Sequence, residues 1–163
     1  MRAQLCHHFS VKFGVTVQDG GRGRILIPVP FDPNEVWAAK PRHHVGGTVG
    51  GHGVRGVIEP QAEGWGFLVG PAWLRCCGIA AGDKVTVEIE PEGPQRAELA
   101  DDIADALAAN PPAGEFFDGL AQFYRKGYLR WIEATKRSPA ERERRIAKTI
   151  ELLSQGVKDY RNG

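Results

Sequence analysis

Five side chains that could bind an anion occur close together in the N-terminal half of the sequence. They are Lys40, Arg42, His43, His44 and Arg55. Lysine and arginine supply positive charge and N–H donors, and histidine adds a further donor, which together suit a phosphate or a carboxylate. We expect these residues to form a ligand-binding rim, and an ordinary solvated charged edge is the alternative.

Residues 51–56 read GHGVRG and satisfy the G-x-G-x-x-G pattern of dinucleotide-binding loops. Such a loop requires a helix directly after the third glycine, so that the pyrophosphate meets the helix N-terminus. Here Pro60 lies four residues beyond Gly56, where it would break the first turns of that helix. The alternating residues on both sides indicate a β-hairpin instead, and we predict no cofactor.

A four-residue turn at 50–53 would set the register of this hairpin. Gly47 would then lie opposite Gly56, and His44 opposite Glu59. The two facing glycines would leave a gap for an aromatic ring. The candidate rings are those of Trp37, Trp65 and Phe67.

Histidines and cysteines are the remaining candidates for catalysis or metal binding. The histidines are His7, His8, His43, His44 and His52, and the cysteines are Cys6, Cys76 and Cys77. Neither set has the spacing of a metal site, and adjacent histidines on a strand point to opposite faces, so we predict no metal site. No nucleophile–base pattern indicates catalytic residues, and we favour a protein that is not an enzyme. The alternative is an enzyme acting on a small anionic substrate with His43 or His44 as acid or base.

The hydrophobic period changes along the chain and divides it into two domains. Up to Pro91 it is two, interrupted by glycine and proline, which predicts strands. After Pro94 it is 3.6, which predicts three helices, the last starting at Ser138. We therefore predict an α+β protein, with a β-barrel domain over 1–93 and a helical domain over 94–163.

The helical domain contains a run of basic residues over 125–148. A basic helical surface for an anionic partner would include Arg125, Lys126, Arg130, Arg144 and Arg145. The acidic stretch 88–118 could instead pair with these side chains and cancel their charge. The aromatic residues at helical spacing favour a core, and base stacking is the alternative.

Two segments, 25–49 and 67–89, share the order strand, proline-initiated short helix, strand. This echo, with IPVP (27–30), HVGGTV (44–49) and GDKVTV (82–87), resembles the swapped-hairpin repeat of AbrB/MazE double-split β-barrels. The tail, with FYRKGYLRWI (123–132), ATKR (134–137) and RRI (144–146), resembles the bacteriocin-protection, YdeI/OmpD-associated type. The whole chain is similar to uncharacterised bacterial proteins that combine these two parts. The resemblance implies a double-split barrel followed by a helical tail, and it implies no activity.

These observations lead us to expect a non-catalytic binding or stress-protection module with a small anionic ligand or a protein partner. An AbrB-like nucleic-acid-binding regulator is the rival hypothesis, which the net charge of +1 does not favour. No apolar run approaches the roughly 20 residues that span a bilayer, so we expect no membrane insertion. The odd number of cysteines and the polar N-terminus favour a cytoplasmic protein. We expect a monomer or a weak homodimer.

Overall fold

The chain forms two compact units, Met1–Pro91 and Glu92–Gly163. The computed structural model describes residues 10–135 and 137–163. The predicted histidine and cysteine candidates His7, His8 and Cys6 therefore lie outside the described residues. The fold is α+β, because a β-sheet dominates the first unit and helices make up the second. From the sequence we placed the boundary after residue 93.

The N-terminal unit is built around a curled antiparallel sheet. Its described elements are β1 (Val11–Thr16), β2 (Gln18–Gly21), β3 (Arg24–Val29), α1 (Pro33–Val36), β4 (His43–Val49), β5 (His52–Gln61), β6 (Gly64–Val69), α2 (Pro71–Cys77) and β7 (Lys84–Pro91). The strand order is β1-β7-β4-β5-β6-β3-β2. The two edge strands, β1 and β2, are separated along the chain only by Val17, which is buried. One bent stretch of chain therefore supplies both edges of a barrel-like sheet.

Alternation along the strands gives this sheet an apolar inner face. In β3, for example, Ile25, Ile27 and Val29 are buried, whereas Leu26 and Pro28 are only partly covered. The strand residues that form the core are Ile25, Ile27, Val29, Val45, Val49, Val54, Ile58, Phe67, Val69, Val87 and Ile89. Burial of these side chains away from water is the main force that stabilises the unit.

The predicted echo is present as β3-α1-β4 and β6-α2-β7. Equivalent strands of the two copies pair with each other, β3 with β6 and β4 with β7. Asp32 caps α1 and Gly78 ends α2 with a left-handed φ of 68°. The structure establishes a curled seven-stranded sheet with this internal echo, and the finer double-split barrel is not confirmed.

The hairpin over residues 43–61 is confirmed, but its predicted register is wrong. Val49 pairs with His52, so the turn contains only Gly50 and Gly51. Both have positive φ, 57° and 82°, and a two-residue turn of this kind matches the natural twist of paired strands. Gly56 consequently lies opposite Val45, and His44 lies opposite Val57 rather than Glu59. The gap above Gly56 is nevertheless filled by an aromatic ring, that of Phe67.

The C-terminal unit contains four α-helices where we predicted three. They are α3 (Asp101–Ala109), α4 (Pro111–Asp118), α5 (Gln122–Glu133) and α6 (Pro139–Ser154), with short 3₁₀ turns at Arg96–Glu98 and Tyr160–Asn162. The sequence predicts one long helix over 115–136, and the structure divides it at 119–121, where Leu120 turns into the core. None of the described helices is long and apolar enough to cross a membrane.

Candidate functional site

Asn34 organises the loop that carries the first residues of the predicted rim. Its side-chain oxygen accepts the backbone N–H of Lys40 at 3.2 Å and lies 2.7 Å from Nε2 of His43. Because this oxygen is an acceptor, Nε2 of His43 must carry a proton and donate it. The Asn34 amide thus contacts two residues near the end of the loop from α1 to β4, and this role has no signature in the sequence.

His43 is buried, whereas we expected it on an accessible ligand-binding rim. It is only 4% exposed, and burial, reinforced by the positive charge of Lys40, lowers its pKa to about 4. The ring is therefore neutral near pH 7. His43 positions the loop as a neutral donor and cannot supply positive charge to an anion.

The other rim residues lie nearer the solvent. Adjacent residues on a strand face opposite sides, so His44 is on the outer face of β4. Arg55 pairs with Gly46, and Gly46 also pairs with Glu90 of β7. Arg55 and His44 are therefore diagonal neighbours on one face. Glu90 pairs with Gly46 from the side opposite to Arg55, so the outer face carries a negative charge as well as positive ones.

Arg125 was predicted on the basic helical surface, and the structure places it in the interior instead, only 1% exposed. Its guanidinium donates to four backbone carbonyls: Leu120 at 2.8 Å, Asp118 at 2.9 Å, and Glu92 and Pro94 at 3.2 Å each. Burial lowers its pKa, while the carboxylates of Asp118, Glu92 and Glu98 oppose that shift. Arginine remains charged under such conditions, so this buried cation holds together the loops of the unit.

Two further predicted cations, Arg144 and Arg145, are partly neutralised within α6. Both pair with Glu141, at 2.6 and 3.1 Å, and their hydrogen bonds lower the pKa of Glu141 to about 2. Arg142, which was not in the predicted set, binds Asp102 at 2.6 Å and Glu133 at 3.0 Å. Of the arginines on α6, Arg142 therefore pairs with the acidic stretch 88–118, as the alternative hypothesis expected.

The last two predicted cations, Lys126 and Arg130, are exposed on α5, and neither makes an ion pair with any described residue. Arg130 lines a groove of about 260 Å³. The other lining residues are Phe123, Tyr124, Gly127, Asp159, Tyr160 and Arg161. Asp159, Tyr160 and Arg161 follow the last helix, where no periodicity could have indicated a site.

Aromatic packing beneath the groove holds its wall in place. Tyr128 is buried and donates its hydroxyl to the carbonyl of Val157 at 2.6 Å. Burial, followed by the charge of Asp159, raises the pKa of Tyr128 to about 12. The ring of Trp131 stacks on the ring of Tyr160. The guanidinium carbon of Arg145 lies 5.1 Å from the centroid of the Trp131 ring. Most of the tail's aromatic residues therefore belong to the core, as helical spacing predicts.

Cysteines and metal ligands add no further cluster among residues 10–135 and 137–163. Cys76 and Cys77 are free thiols at the end of α2, and each lies 3.8 Å from a carbonyl of its own helix. No group of three or more His, Cys, Asp or Glu in the described chain could hold a metal ion.

Fold and sites together define a two-unit α+β chain: a curled antiparallel sheet, then a helical unit with an aromatic and cationic groove. Residues 14–89 match the family model described as Domain of unknown function (DUF1905). Residues 96–156 match the model described as Bacteriocin-protection, YdeI or OmpD-Associated. The chain is thus similar to the first family over most of its sheet unit and to the second over most of its helical unit. No match to a curated protein was found.

Proposed function

We propose that the chain is a binding module that recognises a small anionic ligand through the groove on α5, without chemistry of its own. The observation that carries this proposal is the pair of exposed cations, Lys126 and Arg130, which no described carboxylate neutralises. An unpaired arginine beside a concave surface favours a carboxylate or phosphate, which it can bind through two parallel N–H groups. The description of the matched family supports placing this binding in a protective role.

A small ligand fits the charge distribution better than a polymer does. The C-terminal unit carries twelve acidic and twelve basic residues. Nucleic-acid-binding surfaces depend on a continuous excess of positive charge, whereas a small anion needs only a local one. The two cations on α5 provide that local charge.

Titration of the full chain with benzoate and with inorganic phosphate, followed by tryptophan fluorescence, tests the proposal. Arg130→Gln should weaken anion binding at least tenfold. Arg137→Gln removes another exposed arginine, outside the groove, and should leave binding unchanged. Equal effects of the two variants, or no saturable binding of either anion, would overturn the proposal.

The outer face of the N-terminal unit is a second candidate anion site. His44 and Arg55 share this face, with Arg42 exposed just before β4. A thermal-shift titration with sulfate checks it, since Arg42→Ala and His44→Ala should each reduce the stabilisation. If both variants respond to sulfate as the unmodified chain does, this face binds no anion.

An AbrB-like double-split barrel is supported by the pairing of equivalent strands, β3 with β6 and β4 with β7. With it comes the rival function of a nucleic-acid-binding regulator. Binding to random duplex DNA that weakens steeply with salt would favour the regulator. Absence of binding at low salt would exclude it.

A further inference from the structure

The groove on α5 combines an exposed aromatic ring with a cation on one face of a helix. Phe123, Gly127 and Arg130 are four and three residues apart, so they lie along one stripe. At a rise of 1.5 Å per residue, about 10 Å of helix separates Phe123 from Arg130. A molecule in the groove would meet an apolar surface at one end and a positive charge at the other.

Phe123 provides the apolar end. Its side chain is 58% exposed, and the only other exposed large hydrophobic residue in the described chain is Val36. The ring packs edge-on against Tyr124, with centroids 5.3 Å apart and planes at 82°. Because more than half of the side chain is exposed, the ring is accessible to a second ring, and aromatic pairs favour offset or edge contact.

Gly127 provides the space between the two ends. It lies inside α5 with an ordinary helical backbone, where glycine costs roughly 1 kcal/mol relative to alanine. A Cβ at this position would meet only Tyr160, at an ordinary 3.9 Å. Neither the backbone conformation nor the packing of the described chain requires glycine here. Its absent side chain leaves the helix surface open to an incoming ring.

Arg130 provides the charged end, and the acid in the groove does not oppose it. The carboxylate of Asp159 is occupied by Arg161, whose Nε lies 2.9 Å from Oδ1 and whose Nη2 lies 2.5 Å from Oδ2. The groove volume of about 260 Å³ is just below the range of roughly 300–1,000 Å³ typical of drug-sized ligands. One ring with a short anionic arm fits that size.

We infer that the groove binds a planar aromatic ring that carries one anionic group, a carboxylate or a phosphate monoester. The ring lies over Gly127 between Phe123 and Tyr160, and the anion lies at Arg130. This inference rests on the proposed function and adds the ring to it.

The test compares pairs of probes on the full chain by isothermal titration calorimetry: benzoate with acetate, phenyl phosphate with inorganic phosphate, and benzoate with cyclohexanecarboxylate. Each aromatic probe should bind at least tenfold more tightly than its partner. The carboxylate and phosphate pairs show which anion the site prefers. If acetate binds as well as benzoate, ring recognition is wrong while anion binding stands. If no probe binds, both are wrong.

Gly127→Leu should abolish the preference for benzoate by filling the groove, and leucine favours a helix, so α5 should form normally. Ala147→Leu adds the same side chain at an exposed position of α6 and should leave binding unchanged. Phe123→Ala should bring benzoate to the affinity of acetate. A Gly127→Leu chain that still prefers benzoate would overturn the inference.

Discussion

The ring of Tyr160 stacks on the ring of Trp131, with centroids 5.2 Å apart and planes 14° apart. The stack links the last residues of the chain to α5, and the hydrogen bond from Tyr128 to the carbonyl of Val157 adds a second link. The C-terminal residues therefore form part of the structure of the helical unit and supply one wall of the groove.

Replacing Tyr160 should destabilise the helical unit. Tyr160→Ala should lower the free energy of unfolding by about 2 kcal/mol, since it removes buried ring area and the aromatic contact. Denaturation followed by tryptophan fluorescence measures the loss, with Trp131 as the local reporter. Tyr160→Phe keeps the ring and should be close to the unmodified chain. A Tyr160→Ala chain of unchanged stability would mean that the segment is not held by this stack.

Replacing Arg125 should be far more costly than replacing its exposed neighbour. Arg125→Lys should lower the free energy of unfolding by about 3 kcal/mol, because an ammonium cannot reach four carbonyls that a planar guanidinium satisfies together. Lys126→Met, the control, should change stability by less than about 0.5 kcal/mol. Urea denaturation followed by circular dichroism compares them. Similar values for the two variants would contradict the interior role of Arg125.

A side chain at Gly56 should lower the stability of the fold, whereas one at Gly53 on the same strand should not. A Cβ at Gly56 would lie 2.8 Å from the ring of Phe67, whereas one at Gly53 would have nothing within 4 Å. Gly56→Ala should therefore cost about 1–3 kcal/mol, as overpacking usually does. Gly53→Ala should be close to neutral. Thermal denaturation of both variants checks the difference, and equal melting temperatures would refute the close packing.

His43 should make the stability of the N-terminal unit depend on pH between about 4 and 6.5. In this window the unfolded chain binds a proton that the folded chain excludes, so stability is full above pH 6.5 and falls toward pH 4. At about 1.4 kcal/mol per pKa unit, the loss is on the order of 3 kcal/mol. His43→Gln should flatten this dependence and His44→Gln should not. Parallel pH profiles for all three chains would show that another group is responsible.

Periodicity and caps were enough to predict the class of fold and most of its elements. Ile103 and Leu107 are buried at the predicted helical spacing, and Ser138 caps α6 by accepting the N–H of Glu141 at 3.3 Å. The hairpin was predicted with the right faces but the wrong register. Its turn could be two or four residues long, and a shift of two leaves every side chain on the same face.

Features that depend on tertiary contacts could not be read from the chain. Arg125 resembles its neighbour Lys126 in sequence, and its burial is favourable only because four backbone carbonyls surround it, two of them more than 30 residues away. Strand alternation places His43 and His44 on opposite faces of β4, but the hydrogen bond between His43 and Asn34 depends on the fold. The groove needs Tyr160, which lies 33 residues beyond Gly127 and belongs to no periodic segment.

The hydrogen bonds of Arg125 also show where the helical unit begins. Two of its acceptors, the carbonyls of Glu92 and Pro94, belong to the peptide that follows the last strand. A fusion protein in which this unit starts after Pro94 would keep all four helices. Its buried Arg125 would lose two of its four acceptors, because the carbonyls of Glu92 and Pro94 would be replaced by those of another sequence. Recombination that moves this unit between proteins should therefore keep Glu92, Gly93 and Pro94 attached to it.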